Sequence, residues 1–321
     1  MCIRDSGKYV ECEAIYDVAN LLHLWDSIDD GDRSSFLFDP RIIDWRKYVY
    51  DIHLPTVITQ GRVKTTPSSS PPDSRSNRLR KQVLDPSRQL AVFDLENTLI
   101  ASNVVSSWGY LATKRLSSQD RLKVITKTVL EAPSMLAMDR RDRTDFLRNF
   151  YRKYEGAPVL QIDEDSLEMF NEFILTKSFP AAIRRVREHR ALGHRTLLIT
   201  GALDFVVQPL KPLFDEILAP SLEIKGNKYS GRMTHVPPIG ETRAASLRTY
   251  ADENNLDLKE SIAYADSTSD LPMLEAVGFP VAVNPETKLA TLARRRGWLI
   301  ENFQPISGSP KKTLPLGSKK E

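Results

Sequence analysis

A short apolar run, Ala91-Val92-Phe93, ends at Asp94, and Leu95, Glu96, Asn97, Thr98 and Leu99 follow. The run has no polar residue to alternate with, so neither of its faces is built for water. That is the pattern of a strand buried on both sides in a parallel sheet. Such a sheet needs helices on both faces, right-handed crossovers, and a ligand edge at the carboxyl ends of its strands. The pattern returns twice. Residues 195–201 read RTLLITG, an apolar strand ending in Thr200 and Gly201. Residues 262–270 read IAYADSTSD, a strand ending in Asp266, with Asp270 four residues on at the start of a helix. Three strands thus deliver polar groups to their carboxyl ends. The expected fold is α/β, a doubly wound (Rossmann-like) parallel sheet.

Residues 103–175 carry helical patterns with no strand-like alternation. Tyr110, Leu116, Phe146, Phe150 and Phe173 mark their apolar faces, and Pro133, Gly156 and Pro158 are the expected breaks. An all-helical insert is predicted at about residues 103–178, directly after the first strand. Downstream the spacing predicts a helix over 180–192 stopped by Gly193, a helix over 204–213, and a short strand over 216–219. A β-hairpin over 222–231 turns at Gly226-Asn227, a helix covers 241–254, and 281–283 supplies the last strand. Residues 64–88 begin KTTPSSSPPDSRSNRLR, too poor in apolar groups to offset ordering entropy, and read as a flexible linker. Residues 1–63 form a separate helical segment, whose opening MCIRDS reads as a truncated or artefactual start. Residues 304–321 read as a flexible basic tail.

The net charge of the 321 residues is +3, too small to argue for nucleic acid, and its basic residues are scattered over helices, as at 184–187 and 294–296. Two cysteines, Cys2 and Cys12, exclude a disulfide framework and fit a reducing cytoplasm. No apolar run reaches 18 residues and no signal-peptide core opens the chain, so no stable membrane insertion is expected. His189, His194 and His235 share no metal-ligand spacing and read as surface residues.

The three strand ends, in this order, resemble motifs I, II and IV of the haloacid dehalogenase (HAD) phosphatases, in which motif I is usually Asp-x-Asp-x-Thr. The likeness spans residues 89–303 and is best to subfamily IB, which includes phosphoserine phosphatase. It implies that Asp94 attacks phosphorus and forms an aspartyl-phosphate. It implies that Mg²⁺ is held by Asp94, the backbone carbonyl of Glu96 and Asp266, with Asp270 either a ligand or the support of one. Thr200 and Gly201 would receive phosphate oxygens, and the helical insert would be a C1-type cap that excludes water. Two departures stand out. Glu96 occupies the place of the aspartate that manages protons, and misplacing such a group by ~1 Å can cost ~10²-fold. Arg243 occupies the place of the usual lysine, where it could clamp phosphate bidentately. Lys225 and Lys228 are the weaker candidates for that cation.

Upstream, Phe36, Asp39, Arg41, Asp44, Trp45 and Tyr48 resemble in spacing the C-terminal "sterile" domain of fatty acyl-CoA reductases. That likeness would make a fused or adjacent reductase a partner; a generic helical appendage is the other reading, and neither assigns catalysis to the segment. The expected function is Mg²⁺-dependent hydrolysis of a phosphomonoester, a small phosphorylated metabolite or a lipid-related phosphate. The alternative is a catalytically weak or inactive binding module attached to a reductase. A phosphotransferase would differ only in the acceptor of the phosphoryl group.

Overall fold

The computed structural model describes residues 18–33, 35–61 and 74–305. The chain divides into two compact units, Met1–Pro72 and Asp73–Glu321.

The described part of the first unit is a chain of short helices, Ala19–Asp26, Asp30–Arg33, Trp45–Lys47 and Leu54–Gly61, with a π turn at Tyr48–His53. The acids of its aromatic phrase are turn and helix caps. The Asp39 carboxylate accepts from the Arg41 backbone N–H at 2.9 Å and from the Arg41 guanidinium, and Asp44 accepts from the Lys47 N–H at 3.0 Å. Among the residues of this unit whose exposure is described, Asp39 alone is buried. The opening residues 1–17, with Cys2 and Cys12, lie outside the described residues.

The second unit opens with α1 (Arg75–Val83). Composition had pointed to a flexible linker here; from residue 75 the chain is helical instead. Ser74 caps α1 through the Asn77 N–H, Val83 is buried, Leu79 packs on the core, and Arg80 pairs with Glu301 at 2.9 Å. Two apolar anchors and one ion pair offset the ordering entropy that a Ser/Pro count alone cannot see. Residues 64–73 of that stretch lie outside the described residues.

Strand β1 (Leu90–Phe93) is followed by the helical insert, α2 (Val104–Thr113), α3 (Ser118–Arg141), α4 (Arg143–Tyr151) and α5 (Val159–Met169). Pro133 does not break this region: it lies inside α3, on its exposed side, where the carbonyl it leaves unpaired can meet water. Next come α6 (Pro180–Ala191), β2 (Arg195–Ile199), α7 (Asp204–Val207), β3 (Glu216–Leu218) and the hairpin β4 (Leu222–Lys225) and β5 (Lys228–Met233). The chain then runs through α8 (Glu241–Glu253), β6 (Ile262–Ala265), α9 (Leu271–Glu275), β7 (Phe279–Val283), α10 (Thr287–Arg296) and β8 (Leu299–Glu301). Strand β7 is not the last, as the sequence had suggested. Gly297, at φ 75°, stops α10, and the three residues of β8 pair with β7 at the sheet edge, too short a run to carry a periodic signal.

The main sheet has the order β3-β2-β1-β6-β7-β8, with every pair parallel. Residues 90–93 of β1 are almost fully buried, and they alternate between two cores: Ala91 and Phe93 face one, Leu90 and Val92 the other. Crossovers leave β1 toward β2 on one side and β6 on the other, so the chain order reverses between β1 and β6. That reversal opens the crevice in which doubly wound sheets bind ligands.

Two histidines read as surface residues are core residues. His189 is 0% exposed and His194 3%. On α6 the inward stripe is Ala182, Arg185, Val186 and His189, so two polar residues occupy positions that a hydropathy pattern assigns to solvent. Both find polar partners inside. His189 Nε2 lies 2.6 Å from the Tyr264 hydroxyl, its Nδ1 lies 2.8 Å from His194 Nδ1, and Arg185 reaches Glu301 at 3.2 Å. His235 is exposed.

Candidate active site at the β1–β6 switch point

Asp94 is the first residue past β1, and its N–H donates to Tyr264 O on β6 at 3.0 Å. Asp266 is the first residue past β6, and Asp270 directly precedes α9. One carboxylate oxygen from each of Asp94, Asp266 and Asp270 lies within 4.8 Å of the others. Asp94 and Asp270 are 4% and 2% exposed. Arg243, in the first turn of α8 and 5% exposed, points into the same space. Its Nη1 lies 2.9 Å from Asp94 Oδ1 and pairs with Asp270, while its Nε donates to Pro238 O at 3.0 Å. Ser267 donates to the other Asp270 oxygen at 2.8 Å.

The electrostatics follow from crowding. Burial, and after it the carboxylates of Asp270, Asp266 and Glu96, push the Asp94 carboxyl well above its usual range against the pull of Arg243. Burial, then Asp270, pushes Asp266 up to about 7, although a hydrogen bond from Asn97 opposes this. Asn97 holds a left-handed φ of 55°, and its carbonyl accepts from Asn284 at 3.3 Å, so the loop after β1 is pinned to the loop after β7. Buried like charges of this kind call for a cation. Three carboxylates are the hard oxygen donors that Mg²⁺ prefers, so the donor set fits that ion.

Glu96 does not join the three. Its Oε2 lies 3.0 Å from Arg143 Nη2 at the start of α4, and Arg143 is held from its other side by Asp139 at 2.7 Å. Burial raises the Glu96 carboxyl, with Arg143 and then Arg243 pulling it back. Thr200, 0% exposed, ends the strand beside β1; its hydroxyl accepts from the Ala202 N–H at 3.0 Å. Gly201 is hemmed in: a Cβ there would stand 3.1 Å from Leu147 Cδ1, and its carbonyl accepts from the Tyr151 hydroxyl at 2.6 Å. Lys225 and Lys228 lie exposed at the tip of the hairpin, and Lys225 pairs with Glu223. The residues missed in the sequence are Arg143 and Tyr151, by which α4 of the insert reaches the first and second strand ends. Nothing local marks either one, since Arg143 stands 47 residues beyond its partner.

The family model for haloacid dehalogenase-like hydrolases matches residues 91–275, which takes in Asp94, Glu96, Arg143, Thr200, Arg243, Asp266 and Asp270. The chain belongs to this family. Among curated proteins the HAD-like domain is similar to a histidinol-phosphatase of Neisseria meningitidis serogroup C (strain 8013), 27% identical over 233 residues, covering 68% of this chain and 100% of the relative. It is also similar to the phosphoserine phosphatase SerB1 of Mycobacterium tuberculosis (strain ATCC 25618 / H37Rv), 28% identical over 227 residues, covering 67% of this chain and 70% of that one. Among solved structures a Bordetella pertussis Tohama I protein of unknown function superposes with a TM-score of 0.59 at 23% identity, over 67% of this chain and 98% of its own. The HAD fold, a parallel sheet flanked by helices, is therefore common to them. Among the described residues, no helix is long and apolar enough to cross a membrane.

Proposed function

We propose that the protein is a Mg²⁺-dependent phosphomonoester hydrolase of the IB type that works through an aspartyl-phosphate on Asp94. The observation that carries this is the convergence of Asp94, Asp266 and Asp270 with one buried arginine, Arg243, at the switch point. Asp94, Asp266 and Asp270 would hold the metal, with the backbone carbonyl of Glu96 beside them, and the metal would neutralise phosphate charge. Asp94 attacks phosphorus in line, and the bond to the leaving oxygen breaks as the aspartyl-phosphate forms. Arg243 turns from its carboxylate partners to the transferring phosphoryl group, and Thr200 and Gly201 receive its other oxygens. Glu96 gives its proton to the leaving alkoxide and then takes one from the water that hydrolyses the intermediate. The helical insert is read as the cap that keeps other water out, and its all-helical make-up supports the IB assignment. Relatives named for histidinol phosphate and phosphoserine support a small phosphorylated metabolite as substrate, with a lipid-related phosphate as the other class. The first unit is read as the fatty acyl-CoA reductase-like remnant.

The test is a panel of phosphate esters with Mg²⁺ and the purified chain, repeated with Asp266→Ala. Turnover with a steeply raised Mg²⁺ requirement in the variant is expected. A folded protein that leaves the whole panel untouched would sink the hydrolase reading. One observation favours the second reading, an inactive binding module: the Glu96 carboxylate is engaged by Arg143 rather than facing the three aspartates. Beryllium fluoride with Mg²⁺ separates the two. A tight complex that needs Asp94 supports the enzyme; no complex supports the module.

A further inference from the structure

We infer that the seam between the helical insert and the β4–β5 hairpin is a second anion site, built for a phosphate group or a comparably charged oxyanion. A cavity of about 390 Å³ opens there, and Arg148, Arg152, Arg232, Thr234 and His235 are among its lining residues. It shares no residue with the acidic centre, and no carboxylate lines it. Three acids stand nearby without lining it: Asp145, Glu223, which is within electrostatic reach of Arg232, and the exposed Glu155 beside Gly231. Asp145 stands 3.8 Å from Arg148, and Glu223 is hydrogen-bonded by Ser230 at 2.9 Å and paired with Lys225 at 3.5 Å. Among the described ion pairs none involves Arg152 or Arg232. Three guanidinium groups around one cavity repel each other; an oxyanion turns that repulsion into charge-assisted, bidentate hydrogen bonds.

The walls are set by backbone and do not depend on flexible side chains alone. Gly156 N–H donates to Tyr229 O, Tyr229 N–H to Ala157 O and Val159 N–H to Asn227 O, each at 2.9 Å, so the hairpin is laced to the insert. Gly231, at φ +71°, lets β5 come against the turn that holds Arg152: a Cβ there would stand 3.0 Å from the Arg152 Cα and carbonyl oxygen. Arg152 and Arg232 are brought together by that close approach. Beyond His235 the chain runs through Pro238, the carbonyl that holds Arg243, so an anion bound in the cavity sits next along the chain to the support of the catalytic clamp. Its source is either the distal anionic group of a substrate or a free oxyanion; only the first depends on the phosphomonoester reading.

The binding arm of the test needs no turnover. The full chain is titrated calorimetrically with inorganic pyrophosphate, in chelator and at about physiological salt, where the bare aspartates repel an anion. Saturable binding is expected, weakened ~10-fold or more in Arg152→Gln/Arg232→Gln with the melting temperature retained. If the double variant loses its fold, Arg232→Gln alone reports, since that side chain is exposed. No saturable heat with wild type, or undiminished affinity in the folded variants, overturns the site. The kinetic arm identifies the source. A KM raised ~10-fold for a sugar bisphosphate but unchanged for p-nitrophenyl phosphate assigns the site to the substrate's distal group. Unchanged KM for both, with pyrophosphate binding lost, assigns it to a free oxyanion. If no ester is turned over, the hydrolase reading fails while the binding arm still decides the site.

Discussion

Two clusters of buried polar side chains meet β6 within three residues of each other, and they are built on opposite accounts of charge. At the strand's end, Asp94, Asp266 and Asp270 crowd together with Glu96 close by, and among the described residues Arg243 is the cation paired with Asp94 and Asp270. Beneath the sheet, Tyr264 joins His189, His194 and Arg185, and Arg185 pairs with Glu188 and Glu301, the latter also held by Arg80. The second cluster is balanced, two arginines against two glutamates with both histidines kept neutral by burial. Balance pairs the charges without help from a ligand, although His194 Nε2 is buried with no hydrogen-bond partner among the described residues. The first cluster is not balanced: burial and crowding raise its carboxyls, and a bound cation would relieve that crowding. The comparison separates a site from a scaffold that uses the same residue types.

Substitutions should break that symmetry in order of size. Asp94→Asn should bring turnover to background while raising the melting temperature, because it deletes the most crowded charge. Residual turnover, or a lower melting point, would take Asp94 out of the role of a strained nucleophile. Glu96→Gln comes next, with a loss of ~10²–10⁴-fold in steady-state rate. An activated aryl phosphate needs little leaving-group protonation, so rapid quench should show a burst of aryl alcohol before slow turnover. Equal loss of burst and steady state would instead make Glu96 a residue that holds site geometry through Arg143.

In the balanced cluster, Glu301→Ala leaves Arg80 and Arg185 without their shared partner. A loss of ~3 kcal/mol in urea unfolding is expected, with the activity per folded molecule unchanged. A change in that activity would show that the two clusters are coupled through Tyr264. The effect that is smallest near neutral pH separates them by sign. Burial lowers His189 to about 2, so the folded histidine stays neutral while the unfolded one takes up a proton below ~6.5. Its contribution is present above that value and falls by up to ~1.4 kcal/mol per pH unit below it. Asp266, raised to about 7, does the reverse: its contribution is complete below the unfolded value near ~3.9 and is lost as pH rises through 7. In metal-free urea melts, His189→Gln should flatten the acid limb and Asp266→Asn should gain most above pH 7. The same slope in both variants would erase the distinction.

Three apolar runs ending in polar groups determined the parallel sheet and put Asp94, Thr200 and Asp266 just past its strand ends, with Asp270 close behind. A strand buried on both faces has to be apolar, and its first polar residues mark where it leaves the core, so the end of the strand is written locally. The insert was legible for a related reason: 3.6-residue periodicity is a short-range signal. What the tertiary structure alone decided is which side chains meet across long stretches of chain. Arg243 lies between Asp94 and Asp270, Arg143 reaches Glu96 from the insert, and His189 and Arg185 lie inside, where hydropathy had put them outside. A residue type fixes what a side chain can bond to. Only packing fixes whether water or a partner does the bonding.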